Sequence, residues 1–449
     1  MKFGIFFEHQ IGRPWDDDTE ATLIRDALDQ VELADRLGFQ YVWEVEHHFL
    51  EEYSHSSAPE VFLAAASQRT KDIRLGHGIV LTAPKFNHPA RTAERIAMLD
   101  LVSGGRVDFG SGESSSTAEL GGFNIPFDLK REMWLEGLEV AVRCMTETPF
   151  TGHEGPHVSI PPRNVVPKPV QKPHPPLWVA CSRRETILLA AQKGLGALTF
   201  AFIDPEDARH WVQDYESTLA AEGVPVGLAV NAQLACVTPM MLHSDEAEAV
   251  RRGIEGANFF GYSLGHYYVF GTHRPGQTNV WDEYVAKRHE VGFDPEAAAQ
   301  AVREERLGAK LAAGDATGLR GAIGTPEQVR QYLLRYEEAG VDQVIFVLQA
   351  GRNRHEHIME SLEQFGREVL PEFAERDEGL VKQKAARLEP VIEAALARRQ
   401  ERHDDIGDYE FTAAVKTMVE ASGDQRLQAL VDNYAAERAA GVPDRTLNG

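Results

Sequence analysis

Eight short apolar runs, interleaved with eight amphipathic helical patterns, fill residues 1 to about 376, and this alternation limits the folds open to the chain more than any other feature. The expected strands are residues 2–7, 41–46, 73–81, 106–110, 177–180, 197–200, 228–237 and 343–348. The expected helices include 21–37, 59–68, 89–101, 131–145, 185–193, 205–221, 245–256 and 326–339. Strands that alternate with helices build parallel βαβ units. Eight such units close most simply into an α/β fold of the (β/α)8 TIM-barrel type. A doubly wound open sheet competes, but no Gly-x-Gly-x-x-Gly turn follows the first strand.

The 449 residues exceed what a plain barrel of about 250 requires, so insertions and an appendage are expected. Residues 147–176 are dense in proline and glycine and read as an excursion over the rim. Residues 257–323 carry Phe259, Phe260, Tyr262, His266, Tyr267, Tyr268, Phe270 and Trp281. Such a stretch reads either as a pocket wall or as rings that merely anchor the insertion. From 377 to 449 the composition turns to Ala, Glu, Arg, Lys and Gln with helical apolar spacing, which predicts a helical C-terminal appendage.

A net charge of −23 opposes binding to nucleic-acid phosphates. No apolar run approaches the ~20 residues of a membrane span, and the first residues read as a buried strand rather than a signal peptide. A cytoplasmic protein acting on small molecules is expected. Three widely spaced cysteines, Cys144, Cys181 and Cys236, suggest neither a disulfide framework nor a zinc cluster. No metal site is expected, and His355 and His357 lack a ligand pattern.

Chemistry in such barrels sits at the C-terminal ends of the strands. The second strand ends in Glu46-His47-His48-Phe49, which places an acid and a near-neutral base within one turn of chain. The fourth ends in Gly110-Ser111-Gly112-Glu113-Ser114, where small residues let donors approach a phosphate or ribityl chain. After the fifth comes Ser182-Arg183-Arg184 at a helix start. Guanidinium groups there favour phosphate, although Ser182-x-x-Glu185 is also a capping-box pattern.

Taken in order, Met1-Lys2-Phe3-Gly4, Glu46-His47-His48-Phe49, His88-Pro89, Leu99-Asp100, Gly104-Gly105-Arg106, the turn at 180–182 and Gly324-Thr325-Pro326 resemble the bacterial luciferases and the luciferase-like flavin-dependent monooxygenases. The resemblance covers about residues 1–376. It implies an enzyme that receives reduced FMN from a separate flavin reductase, forms a flavin 4a-hydroperoxide with O2 and oxygenates an organic substrate. It also implies that His47 stands where the family has its catalytic histidine, with Glu46 as its acidic neighbour. Gly78, Ser111, Gly112, Ser114 and Ser182 fall at flavin-binding positions by the same resemblance. The sequence departs from luciferase at Gly112-Glu113, where that enzyme has a reactive cysteine and a phosphate-binding arginine, so Arg183 and Arg184 are expected to supply the positive charge. Relatives suggest a non-prolyl cis bond at Gly78–Ile79 and a homodimer through the helices 59–68 and 89–101. The superfamily also supports 5-deazaflavin hydride transfer, and a non-catalytic flavin-binding subunit is a third reading.

Overall fold

The apolar runs are rich in the β-branched and aromatic residues that suit a pleated surface. In the computed structural model, which describes residues 1–200, 203–288, 320–400 and 405–440, they form β1 (Lys2–Phe7), β2 (Tyr41–Glu44), β3 (Arg74–His77), β4 (Val80–Leu81) and β5 (Val107–Gly112). There follow β6 (His153–Glu154), β7 (Ser159–Ile160), β8 (Leu177–Cys181), β9 (Gly196–Thr199), β10 (Leu234–Leu242), β11 (Ala322–Gly324) and β12 (Gln343–Val347). Eight of them close a parallel barrel in the order β1, β2, β3, β5, β8, β9, β10, β12 and back to β1. The register sets Gly4 beside Tyr41 on one side and Ile345 on the other.

The barrel interior is filled by large rings opposed to glycines. Trp43 and Trp178 meet edge to face at 5.3 Å. A Cβ at Gly76 would lie 2.2 Å from the Trp43 ring, and one at Gly196 would lie 2.4 Å from the Trp178 ring. Each indole therefore requires the glycine on the next strand, because close-packed interiors do not yield by more than a few tenths of an ångström.

Around the barrel run α1 (Thr19–Leu37), α2 (Pro59–Arg69), α3 (Pro89–Val102), α4 (Thr117–Gly122), α5 (Lys130–Thr146), α6 (Arg184–Gln192) and α7 (Pro205–Glu222). They continue with α8 (Glu246–Gly265), α9 (Val280–Lys287), α10 (Pro326–Ala339), α11 (His355–Glu368) and α12 (Leu370–Ala397). None of the described helices is long and apolar enough to cross a membrane.

Four local expectations are corrected. The expected strand 73–81 is two strands, broken at Gly78, whose N–H donates to the Glu44 carbonyl at 2.6 Å. The expected strand 228–237 begins only at Leu234 and runs on to Leu242. Residues before it are held as a loop, since Asn231 donates to the Leu177 carbonyl at 3.0 Å and accepts from the Tyr215 hydroxyl at 3.0 Å. The expected helix 245–256 runs on to Gly265, so that Phe259, Phe260 and Tyr262 at the start of the expected insertion lie on α8. Finally, every cis peptide among the described residues precedes a proline, so the Gly78–Ile79 bond is trans.

The excursion at 147–176 carries the β6–β7 hairpin. The expected insertion at 257–323 comprises the end of α8, a π-helical turn at His266–Phe270, α9 and β11, while its residues 289–319 lie outside the described ones. Helix α9 is pinned from a distance: the buried Glu52 carboxylate accepts from the N–H groups of Val280 at 2.6 Å and Trp281 at 3.0 Å. A carboxylate at a helix start satisfies donors that have no partner within the helix.

The composition change near 377 falls inside α12, where Lys384 meets Asp342 at 2.7 Å and Arg387 pairs with Glu216. The chain separates into two compact units, Met1–Arg402 and His403–Gly449. The described part of the second is a helical pair, α13 (Ala414–Ser422) and α14 (Gln425–Ala439); of the expected 377–449 appendage, residues 401–404 and 441–449 lie outside the described residues.

Candidate active site

His47 leaves the barrel just beyond β2, and its backbone N–H is fixed by the Ser56 carbonyl at 2.8 Å. Its ring stands between two carboxylates. Nδ1 lies 2.9 Å from Glu119 and Nε2 lies 3.6 Å from Glu8. Glu119 is the third residue of α4, and its carboxylate also accepts the His48 N–H at 3.0 Å and the Ser114 hydroxyl at 2.7 Å. Glu8 directly follows β1 and accepts from the Tyr53 hydroxyl at 3.0 Å. Both glutamates are buried.

This arrangement sets the protonation states. For His47, burial opposes the charged form, but the Glu119 and Glu8 carboxylates outweigh it and raise the imidazole to about 9. For Glu8, burial dominates over the attraction of His47 and pushes the carboxyl up to about 7. Glu119 is held below the usual carboxylate range by His47 and its hydrogen bonds, against the cost of burial. The Glu8 carboxyl is thus placed to titrate near neutral pH while the imidazole beside it stays charged there.

Glu46 adds to the charge that raises His47, but its hydrogen bonds go elsewhere. Its carboxylate accepts from the Leu81 N–H at 2.8 Å, from Asn87 Nδ2 at 2.8 Å and lies 3.2 Å from His48 Nε2. Asn87 in turn accepts from Arg95 on α3, and Arg95 reaches Glu60 on α2 at 2.8 Å. His48 also packs against Phe123 at 5.0 Å and stacks on Phe86 at 6.3 Å. A separate buried group joins His9 and Glu44 at 2.8 Å, with Ser56 donating to Glu44. His77, at the end of β3, is buried and drawn down to about 4, so it is neutral.

Of the expected flavin-binding positions, Ser111 is fully buried and accepts from the Trp134 indole at 3.1 Å while donating to the Trp178 carbonyl. A Cβ at Gly112 would strike Ile79 at 2.5 Å, and one at Gly78 would meet Val45 at 3.0 Å. Ser114 sits at φ 59° and serves Glu119. The Ser182 capping box is not formed: α6 starts one residue later, with the Thr186 hydroxyl accepting from the Arg183 N–H at 3.3 Å. Glu185 pairs instead with Arg131 at 2.6 Å, and Arg184 binds Asp214 on the outer side.

Glu113, which departs from the luciferase pattern, is flanked by Lys130 at 3.3 Å and Arg131 at 3.2 Å. Lys130 is lowered first by its own burial and raised by Glu113, while Arg183 is near enough to act on it electrostatically. The rim beside β5 and β8 thus gathers Lys130, Arg131 and Arg183 around a single acidic pair, Glu113 and Glu185.

Sequence reasoning missed Glu8, Glu119, Lys130 and Arg131. Glu8 obeys the strand-end rule that singled out Glu46 and His47. Glu119 stood hidden in the Ser116-x-x-Glu119 capping pattern; Ser116 does cap α4, accepting from Ala118 N at 3.2 Å, but Glu119 turns to the histidines. Of the aromatic residues, Phe259, Tyr262, Trp281 and Tyr284 form a separate cluster with Val280. Tyr53 packs against Phe260 at 5.5 Å and Tyr268 at 6.1 Å, beside His47 at 5.6 Å.

The closed parallel barrel carries an imidazole set between two carboxylates at its C-terminal mouth, the end where barrels of this class keep their functional residues. More narrowly, the chain belongs to the luciferase-like monooxygenase family, whose family model matches residues 1–343, and it is an oxidoreductase. It is 25% identical over 389 residues to the oxygenase component of the flavin-dependent trigonelline monooxygenase of Acinetobacter baylyi, covering 84% of this chain and 96% of that one. It is 36% identical over 194 residues to the uncharacterised protein y4wF of Sinorhizobium fredii, 43% of this chain and 54% of that relative, so the match spans about half of y4wF. Among solved structures, the monooxygenase RslO1 of Streptomyces bottropensis superposes with a TM-score of 0.61 at 26% identity, over 83% of this chain and all of that one.

Proposed function

We propose that the chain is an FMN-dependent monooxygenase that takes reduced FMN from a separate flavin reductase and uses O2 to oxygenate a small organic substrate. The observation that carries this reading is the Glu8–His47–Glu119 group at the barrel mouth, a set of proton-bearing side chains at the end of the strands where barrels keep their chemistry. The flavin-dependent name of the Acinetobacter relative supports the cofactor class. A homodimer in the cytoplasm is part of the same proposal. Val61, Met98, Leu101 and Val102 on α2 and α3 are exposed apolar side chains, which suits pairing through that face.

The residues present fit a reduced flavin phosphate. Lys130, Arg131 and Arg183 offer cations at one side of the mouth, and Glu113 is the group a phosphate would displace from Lys130 and Arg131. Of the two arginines expected from the sequence, Arg184 is held by Asp214 and is set aside. When bound, reduced FMN supplies the electrons that activate O2. Protonated His47 holds a proton on Nε2 at the mouth, Glu119 fixes the ring through Nδ1, and Glu8 exchanges its own proton near neutral pH. Phe86 and Phe123 pack beside His48 and keep water from that flank.

The test is anaerobic titration of the full-length protein with reduced FMN and, separately, with a reduced 5-deazaflavin, followed by admission of O2. Saturable binding of reduced FMN and O2 uptake are expected. Binding of the deazaflavin alone, without O2 uptake, would overturn the assignment in favour of hydride transfer.

A further inference from the structure

We propose that the protein has a second small-molecule site, at the end of the barrel opposite the mouth, and that this site takes an amphipathic carboxylate, a single anionic head on an apolar body. A cleft of about 530 Å³ lies there between the N-terminal ends of the strands and helix α12. Sites for small organic ligands span about 300–1,000 Å³. Lys2 at the start of β1 and Asp342 just before β12 form its floor, while Val212 on α7 and Leu380, Val381 and Ile392 on α12 form its walls. Leu380 and Val381 are 38% and 45% exposed, so this wall still has apolar surface to bury. The cleft is separate from the flavin reading, since Glu8 and His47 follow the C-terminal ends of β1 and β2.

The charges around the cleft decide the head group. The N-terminal ammonium bridges Asp377 at 2.9 Å and Glu337 at 3.4 Å, Lys384 holds Asp342 at 2.7 Å, and Arg387 holds Glu216. Lys2 is the exception: among the described residues its ammonium has neither a hydrogen bond nor an ion pair. Asp108, on which Lys2 acts electrostatically, is already held by Arg74 at 2.5 Å and by the Trp178 indole at 2.8 Å. A second, independent observation lies next to Lys2. Gln343, its register partner on β12, is fully buried, and neither atom of its side-chain amide has a hydrogen-bond partner. Register partners on neighbouring strands point to the same face, so a carboxylate seated at Lys2 offers this amide an acceptor as well. A buried polar group without a partner is costly, and a ligand that supplies one relieves that cost. A cation would meet carboxylates that are already engaged and would be repelled by Lys2. A neutral amphiphile would leave Lys2 without a counter-charge.

Calorimetric titration of the full-length protein with octanoate, octanol and octylammonium tests this, at about 0.15 M salt so that the general pull of a chain of net charge −23 on cations is screened. Octanoate should bind one to one and at least about tenfold tighter than either of the others. Lys2→Met keeps the aliphatic stem and removes the charge, so it should cut octanoate affinity about tenfold and bring it level with octanol. Ala385→Trp, on the exposed side of α12 where it borders the cleft, should fill the space and abolish octanoate binding. Two variants are used so that loss of fold in one does not remove the test. The site is overturned if octanol or octylammonium binds as tightly as octanoate, or if either folded variant binds octanoate as wild type does, which is the result expected of a ligand seated at the mouth. Both variants should bind reduced FMN as wild type does. A wild type that binds octanoate but not reduced FMN would sink the flavin reading and leave this site standing.

Discussion

Replacing Glu119 by Gln isolates the interaction that holds His47 charged. The substitution keeps an acceptor for the His48 N–H and removes the charge 2.9 Å from His47 Nδ1. A hydrogen bond to a charged group contributes about 1.5–3 kcal/mol, and at about 1.4 kcal/mol per unit this corresponds to roughly one to two pKa units. His47, raised to about 9 in the parent, should therefore titrate at roughly 7–8 in the variant. Imidazole resonances followed by NMR across the pH range give the value directly. The pH profile of product formed per FMNH2 consumed should follow: an acidic limb set by Glu8 near 7 and an alkaline limb set by His47 near 9 in the parent, with the alkaline limb moving inward in the variant and the acidic limb moving down as Glu8 loses the repulsion of Glu119. The sign for stability is the same. His47 has a folded pKa above its ordinary 6.5, so its contribution is complete below that value and is lost as pH rises through about 9; in the variant the loss comes earlier. An unmoved His47 titration in Glu119→Gln would refute this account of the site.

Ser111→Ala should leave flavin affinity unchanged but lower stability by about 1–3 kcal/mol in chemical denaturation, because the buried Trp134 indole N–H loses its acceptor. Arg183→Ala should weaken reduced FMN by about tenfold or more, as loss of a charged phosphate contact does, whereas Arg184→Ala should bind nearly as wild type, its guanidinium being held by Asp214; calorimetry separates the two. Met98→Glu, placed on the exposed apolar face of α3, should shift the protein from dimer to monomer by light scattering.

The barrel was legible because its strands and helices obey two simple periods, and because Glu46-His47-His48 falls where barrel chemistry falls. The partners of His47 were not, since they come from β1 and α4, and only the closure of β1 on β2 brings Glu8 within reach of it. Ser111 and Gly112 illustrate what packing adds. Small residues at a strand end read as room for a ligand, and the fold also uses them internally, the Ser111 hydroxyl accepting from Trp134 and Gly112 making way for Ile79. Helix α8 ran past its expected end because Phe259, Phe260 and Tyr262 are buried on it, and tertiary packing overrides a composition-based loop boundary. The capping pattern at Ser182 failed for a related reason: two such patterns overlap by one residue, and sequence alone does not rank Glu185 against Thr186.

The line of contacts from His48 through Glu46, Asn87 and Arg95 to Glu60 runs from the barrel mouth to its outer wall. Arg95 sits on the same helix as Met98, Leu101 and Val102, so the side chains available for association and the one that steadies Glu46 move as a single rigid body. Engineering the outer wall and engineering the chemistry are consequently one design problem in this barrel. A charge placed on that face to improve solubility, if it draws Arg95 away from Asn87, loosens the Glu46 carboxylate that His48 contacts without touching any residue at the mouth.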